Sequence, residues 1–211
     1  MSDDRAATTG TARELPLFPL SAVLFPDGLL ELRIFEVRYL DMMTKCMREK
    51  TPFGVVCLKS GDEAKRSDEA LQLHDIGTLA ELIDVDSAGT NLLNVRCRGT
   101  HRFVLGKTYQ RSDGLWIGEA SDVGDDPVVA PARSHAAIVK SLADAVESLA
   151  AQGAKPFLEP LRFDDAGWVA NRWCDILPLP LEVKQRLMTL ADPVERLDIV
   201  DSLMQTRQDT H

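Results

Sequence analysis

Residues 30–34 read Leu30-Glu31-Leu32-Arg33-Ile34, and the chain continues Phe35-Glu36-Val37-Arg38-Tyr39-Leu40-Asp41-Met42-Met43-Thr44-Lys45-Cys46-Met47-Arg48-Glu49-Lys50. The first stretch alternates apolar with charged residues, the period of a half-buried strand. In the second, Phe35, Tyr39, Met42, Met43, Cys46 and Met47 fall three or four apart, as on one face of a helix. The sequence on both sides of this helix reads as strand, so the helix is expected to be embedded in a sheet.

Upstream, Leu15-Pro16-Leu17-Phe18-Pro19-Leu20 and Val23-Leu24-Phe25 are apolar but interrupted by prolines. Pro16, Pro19 and Pro26 cannot donate to a central ladder, so these pieces are expected to be short edge strands or extended loop, with Pro26-Asp27-Gly28 as a turn. Downstream, Phe53 to Leu58 is a strand run closed by a polar surface loop from Lys59 to Glu69. Gly77 to Val85 and Leu92 to Cys97 read as a hairpin around Asp86-Ser87-Ala88-Gly89-Thr90, Gly99 suggests a sharp turn, and His101 to Tyr109 and Leu115 to Val123 flank the turn Ser112-Asp113-Gly114. About six short strands with one inserted helix imply a small, mostly antiparallel barrel.

The last third changes period. Ile138, Leu142, Val146 and Leu149 recur at helical spacing between Ala132 and Gln152, with Gly153 suited to the left-handed residue after a helix end. Asp164 or Asp165 can cap a second helix carrying Trp168, Val169, Trp173 and Ile176, which ends before Pro178. Leu181 to Leu190 makes a third. Asp192-Pro193-Val194-Glu195 opens a fourth, with the apolar stripe Val194, Leu197, Val200 and Met204. The class is therefore α+β: a tail at 1–13, a β-barrel subdomain at 14–123, a linker at 124–131, an α-helical bundle at 132–206 and a second tail at 207–211.

Composition narrows the function. Of 211 residues, 45% are hydrophobic and 27% charged, which fits an ordinary globular protein and excludes wholesale disorder. With 24 Lys+Arg against 33 Asp+Glu the net charge is -9, repulsive to nucleic-acid phosphates and anionic lipid, so neither DNA nor a membrane is an expected partner. No apolar run approaches the ~20 residues of a membrane span. Met1 to Thr11 is acidic and polar where a signal peptide would be basic and then apolar. Cys46, Cys57, Cys97 and Cys174 are widely spaced among apolar neighbours, as reduced core thiols of a cytoplasmic protein would be.

Catalytic signatures are missing. Leu105-Gly106-Lys107-Thr108 looks like the end of a phosphate loop, but the glycine needed five residues before Gly106 is replaced by His101. There is no Gly-x-Ser-x-Gly, His-Glu-x-x-His or Gly-x-Gly-x-x-Gly, and no cysteine pair has zinc spacing. His74, His101, His135 and His211 have no evident partners and read as surface or turn residues. Asp125-Asp126 and Asp164-Asp165 fall at a linker and a helix start, where turn chemistry and the helix dipole favour acids. No catalytic residue, metal or cofactor is expected. Arg96, Arg98, Arg102, Lys107 and Arg111 form the one local basic excess. Arg96 and Arg98 should share a solvent face and could hold RNA or an acidic partner, although no aromatics interleave to stack on bases.

Leu15-Pro16-Leu17-Phe18-Pro19-Leu20, Leu24-Phe25-Pro26-Asp27-Gly28 and Leu32-Arg33-Ile34-Phe35-Glu36-Val37-Arg38-Tyr39 resemble the N-terminal, substrate-binding domain of Lon proteases. The resemblance extends through Gly77-Thr78-Leu79-Ala80-Glu81-Leu82, Gly99-Thr100-His101-Arg102-Phe103, Leu177-Pro178-Leu179-Pro180 and Asp192-Pro193-Val194-Glu195-Arg196-Leu197, from about Glu14 to Met204. A similar domain occurs in cereblon. The resemblance implies a PUA-like β-barrel followed by a helical bundle, and recognition of unfolded or extended polypeptide. Because the sequence ends at His211 without ATPase or protease modules, a free-standing, non-catalytic binding module is expected, handing its ligand to a protease or chaperone in trans. An RNA-binding PUA-like module and a hydrolase assembled only in the fold are the alternatives. The candidate anchors for polypeptide are Phe25, Phe35, Tyr39 and Trp168, while Arg33 and Arg38 are expected to orient the strand-helix junction.

Overall fold

The computed structural model describes residues 12–59 and 72–208, which divide into two compact units meeting at Asp125/Asp126. The expected tails at 1–13 and 207–211 and the loop from Lys59 to Glu69 fall largely outside the described residues. Where they fall inside, Arg13 already belongs to a strand and residues 207–208 to a helix.

The first unit contains β1 (Arg13–Leu20), β2 (Leu29–Ile34), α1 (Val37–Glu49), β3 (Phe53–Cys57), β4 (Ile76–Gly89), β5 (Leu92–Gln110) and β6 (Trp116–Asp122). The strand order is β2-β5-β4-β3-β1-β6, and an additional β5–β6 pairing closes the sheet on itself. All pairs are antiparallel except β1 with β3. The mixed α+β class with a mostly antiparallel, closed sheet is the one the strand patterns imply.

Two details differ from the sequence reading, each for a local reason. β1 is not an edge strand, since it lies between β3 and β6. It changes partner at Leu17, however, pairing with β6 over Arg13–Leu17 and with β3 over Leu17–Leu20. Pro16 and Pro19 each fall where only one flank is paired, so each missing N–H can face the unpaired side. Gly99 does not turn the chain. β5 runs straight through it, and the change of direction is spread over a register shift opposite Thr78 and Ala80. Glycine is required there because the turn after Phe25 presses on the strand: Gly99 donates its N–H to the Gly28 carbonyl at 2.9 Å, and Asp27 donates to the Gly99 carbonyl at 2.8 Å. A Cβ on Gly99 would collide with the Phe25 carbonyl oxygen.

The first unit's core joins Phe18, Leu24, Ile34, Phe53, Val55, Val95, Cys97, Leu115 and Ile117 to the inner face of α1, namely Tyr39, Met42, Met43 and Cys46. Phe18 and Tyr39 stack with centroids 4.2 Å apart. Phe35 and Met47, expected on that same face, are exposed at 67% and 55%. The helix begins only at Val37, after the extended Glu36, so Phe35 precedes the turn that would have set its phase.

In the second unit a short 3₁₀ turn (Arg133–His135) leads into α2 (Ala136–Ala151), followed by α3 (Ala166–Ile176), α4 (Leu181–Thr189) and α5 (Pro193–Gln208). Asp165 caps α3 by accepting from the Gly167 and Trp168 N–H groups, and Asp192 accepts from Val194 and Glu195 at the start of α5. Every residue from Ala166 to Cys174 is buried. Two fully buried arginines organise this unit. Arg196 donates from Nε to the Leu187 carbonyl at 3.0 Å, from one terminal nitrogen to Asp126 at 2.7 Å and Asn171 at 3.1 Å, and from the other to the Leu190 carbonyl. Arg172 pairs with Asp175 at 2.9 Å and lies over the rings of Phe157 and Trp168. Asp126, expected to be a linker acid, therefore serves as a counter-ion.

Gly99→Ala is expected to lower stability by about 2–3 kcal/mol in denaturant titration, because backbone and strand must part to admit one methyl. Gly106→Ala, whose new Cβ would meet only Glu119 at 3.3 Å or more, should stay within about 0.5 kcal/mol of wild type. Arg196→Ala should cost about 3–5 kcal/mol and melt helix by far-ultraviolet circular dichroism, since it strips donors from two carbonyls and a counter-ion from Asp126.

Candidate functional site

The junction of β2 and α1 is held open as a surface feature by one arginine. Arg38 donates to the Gly114 carbonyl at 3.1 Å, pairs with Glu36 at 2.6 Å and lies over the Tyr39 ring at 4.8 Å. This ties the helix start to the β5–β6 turn, where Gly114 has φ 83°. Arg38 thus takes the orienting role expected of it. Arg33, expected to share that role, is exposed on β2 and has no carboxylate partner among the described residues.

With the junction so fixed, Phe35 and Val37 project into solvent at 67% and 69% exposure. Val37, Leu40, Thr44 and Met47 follow at helical spacings along one face of α1, with Leu40 half-buried and Met47 exposed. The result is an apolar strip running from the end of β2 along the outside of α1. Of the four aromatic candidates, Phe35 alone belongs to it. Phe25, Tyr39 and Trp168 are buried at 0%, 7% and 2% exposure and offer no surface. Val37 and Met47 were missed as surface groups. Their phase with Leu40 and Thr44, opposite Tyr39, Met42, Met43 and Cys46, was the available signal.

The basic residues do not form a patch. Arg96 and Arg98 face solvent as expected, but Arg98 is paired with Asp27 and Arg96 with Glu31 at 3.3 Å. The ladder sets Glu81 beside Arg98 and Asp84 beside Arg96. Arg102 is buried, at 5% exposure, and Arg111 pairs with Asp113 at 2.9 Å. Lys107 is exposed. Interleaved carboxylates neutralise the field that a phosphate backbone would need.

Nor, among the described residues, do histidines and thiols assemble a nucleophile. His135 corrects the expectation of a surface residue: it is buried, and its Nε2 lies 2.6 Å from Asp198. The hydroxyl nearby on α5, Ser202, is engaged with the Asp198 backbone carbonyl at 2.9 Å rather than with the imidazole. His101 and Asp125 make an exposed pair at 2.6 Å. All four cysteines are buried and none forms a disulfide. Burial pushes the Cys97 thiol up to about 12, with Cys46 adding to it, and burial likewise raises Cys174 to about 12, with Asp175 adding to it. Among the described residues no group of three acidic, histidine or cysteine side chains could hold a metal ion, and no helix is long and apolar enough to cross a membrane.

Comparison with known proteins agrees with this geometry. The family model described as the ATP-dependent protease La (LON) substrate-binding domain matches residues 14–206. The chain belongs to the Lon substrate-binding domain family. It is 26% identical over 196 residues to the Lon protease of Xanthomonas oryzae pv. oryzae, covering 90% of this chain and 23% of that protein. It is 24% identical over 205 residues to the Lon protease of Haemophilus influenzae, covering 94% of this chain and 25% of that protein. The chain therefore spans about a quarter of the length of these curated relatives. A solved Lon N-terminal domain protein from Xanthomonas campestris superposes with a TM-score of 0.72 at 29% identity, covering 90% of this chain and 98% of that one. The N-terminal domain of a Mycobacterium avium complex Lon protease shares the fold with a TM-score of 0.59 at 13% identity, covering 89% of this chain and 96% of that one. The strand-rich unit and the helical unit described above are thus those of a Lon substrate-binding domain.

With all four thiols in the core and two of them strongly disfavoured as thiolates, a disulfide-exchange reagent at pH 8 should titrate close to none of them in the native protein and all four in denaturant. A fast-reacting thiol in the folded protein would show that one of these sites is open.

Proposed function

We propose that this domain binds unfolded or extended polypeptide without catalysing a reaction on it, and that the apolar strip of Phe35, Val37, Leu40 and Met47 is where the ligand's side chains are buried. The observation that carries the reading is the exposure of Phe35 and Val37 at a rigidly tied junction, in a chain whose family is named for substrate binding. Soluble proteins seldom leave neighbouring large apolar groups in water without a use for them. A solvent-facing phenylalanine whose backbone is already fixed makes a good anchor, since little order is lost when a partner covers it.

The strip suits a ligand that is apolar and locally extended rather than one of defined sequence. It has one aromatic anchor, a β-branched neighbour and a methionine whose thioether can adapt to different side chains. Delivery of the captured segment to a protease or chaperone acting in trans would follow capture. The relatives' proteolytic activity is named for proteins about four times as long, so it is not assigned to these residues.

Fluorescence titration with a permanently unfolded, reduced and alkylated protein tests the reading. Wild type should bind in the micromolar range, and Phe35→Ser with Val37→Ser should weaken binding about tenfold or more while leaving the thermal transition near its wild-type position. Absence of binding by folded wild type, or binding that ignores both substitutions, would overturn it.

A further inference from the structure

β2 is a terminal strand: among the described residues it pairs only with β5. The direction of its unused backbone groups follows from the ladder. The Gly99 N–H is donated to the Gly28 carbonyl, and from that pair the register runs without a shift through Leu29↔Arg98, Leu30↔Cys97, Glu31↔Arg96, Leu32↔Val95, Arg33↔Asn94 and Ile34↔Leu93. Antiparallel pairs alternate, so Leu30, Leu32 and Ile34 direct N–H and C=O toward β5, whereas Leu29, Glu31 and Arg33 direct theirs to the open edge. Leu30, Leu32 and Ile34 also face the core, and Glu31 and Arg33 are exposed.

We propose that this edge pairs with the same edge of a second copy of the chain, as an antiparallel two-fold dimer centred on Leu32. Among registers centred within Glu31–Arg33, charge selects one. Only residues with outward backbone groups can form hydrogen-bonded pairs, which restricts the two-fold axis to lie at a residue position. An axis at Glu31 would set Glu31 on Glu31, and an axis at Arg33 would set Arg33 on Arg33. The axis at Leu32 sets Glu31 of each copy opposite Arg33 of the other, twice, with Leu30 opposite Ile34 on the core side.

Among the described residues of the first unit, Arg33 is the exposed guanidinium without a carboxylate partner, and this register supplies one. Glu31 would then lie between its own Arg96 and the second copy's Arg33, continuing the row of alternating charge that already runs from Glu31 through Arg96 to Asp84. The next pair outward sets Leu29 against Phe35, covering the most exposed aromatic of this unit. The self-complementarity is that of an isologous contact, closing at two copies. The proposal goes beyond the polypeptide-binding reading and does not rest on it. The two meet at Phe35, so dimer formation would compete with ligand at that end of the strip and leave Val37 and Met47 open.

Sedimentation equilibrium of the full chain over a concentration series tests the dimer. Wild type should show a reversible monomer–dimer equilibrium without larger species. Arg33→Glu sets like charges opposite each other twice and should raise the dissociation constant roughly tenfold or more. Combining it with Glu31→Arg restores opposite charges across the axis and should return the constant to within about threefold of wild type. Circular dichroism of each variant checks that the fold is retained. A wild-type monomer at every concentration, a dimer indifferent to Arg33→Glu, or a double variant no tighter than Arg33→Glu alone would each overturn the assignment.

Discussion

The close approach of Gly99 to the turn after Phe25 is the constraint on which the first unit depends. β5 is 19 residues long and is the strand shared by β2, β4 and β6. It can serve all three only by staying continuous while changing direction, and the position where its neighbours change is occupied by a residue with no side chain. Two backbone hydrogen bonds from that residue hold the Pro26-Asp27-Gly28 turn in place, and Asp27, at φ 58°, accepts from Arg98 on the same strand. Through the turn, the same contact sets where β2 begins, hence where β2 ends and where α1 must start.

That start decides what the unit shows to solvent. α1 covers the core with Tyr39, Met42, Met43 and Cys46, and its amphipathic pattern is sufficient for that task. The apolar residues left over are Phe35, Val37 and Met47, which a core-filling role does not use. Arg38 keeps them apart from the core by anchoring the helix start to Glu36 and to the Gly114 carbonyl. The strip proposed for an extended ligand thus lies beside a packed core, on apolar residues that the helix phase places outward.

The second unit solves a different problem. Its most buried large side chains are arginines, which hydrophobic patterning does not anticipate. Arg196 uses its planar fork to satisfy carbonyls at the end of α4 together with Asp126 and Asn171, and Arg172 is neutralised by Asp175 and flanked by aromatic faces. Such networks gain little from charge alone. They are costly to disrupt, because each partner would be left desolvated without its bond.

Much of this was legible in the residues. Period two against period three to four separated strands from helices, and proline, glycine and aspartate marked the turns and caps at Asp27, Gly114, Gly153, Asp165 and Asp192, because those preferences act within a few residues. What the sequence could not place was anything set by residues far apart. The exposure of Phe35 against the burial of Phe25, Tyr39 and Trp168 depends on where a helix begins relative to a sheet. The pairing of Arg96 and Arg98 with carboxylates depends on strand register, and the counter-ion of Arg196 sits seventy positions away. By itself, then, the sequence determined the elements, their order and the family resemblance, while the tertiary structure alone decided which apolar and charged side chains face water. Local backbone preferences travel with the chain, but burial and charge pairing are properties of neighbours that only folding brings together.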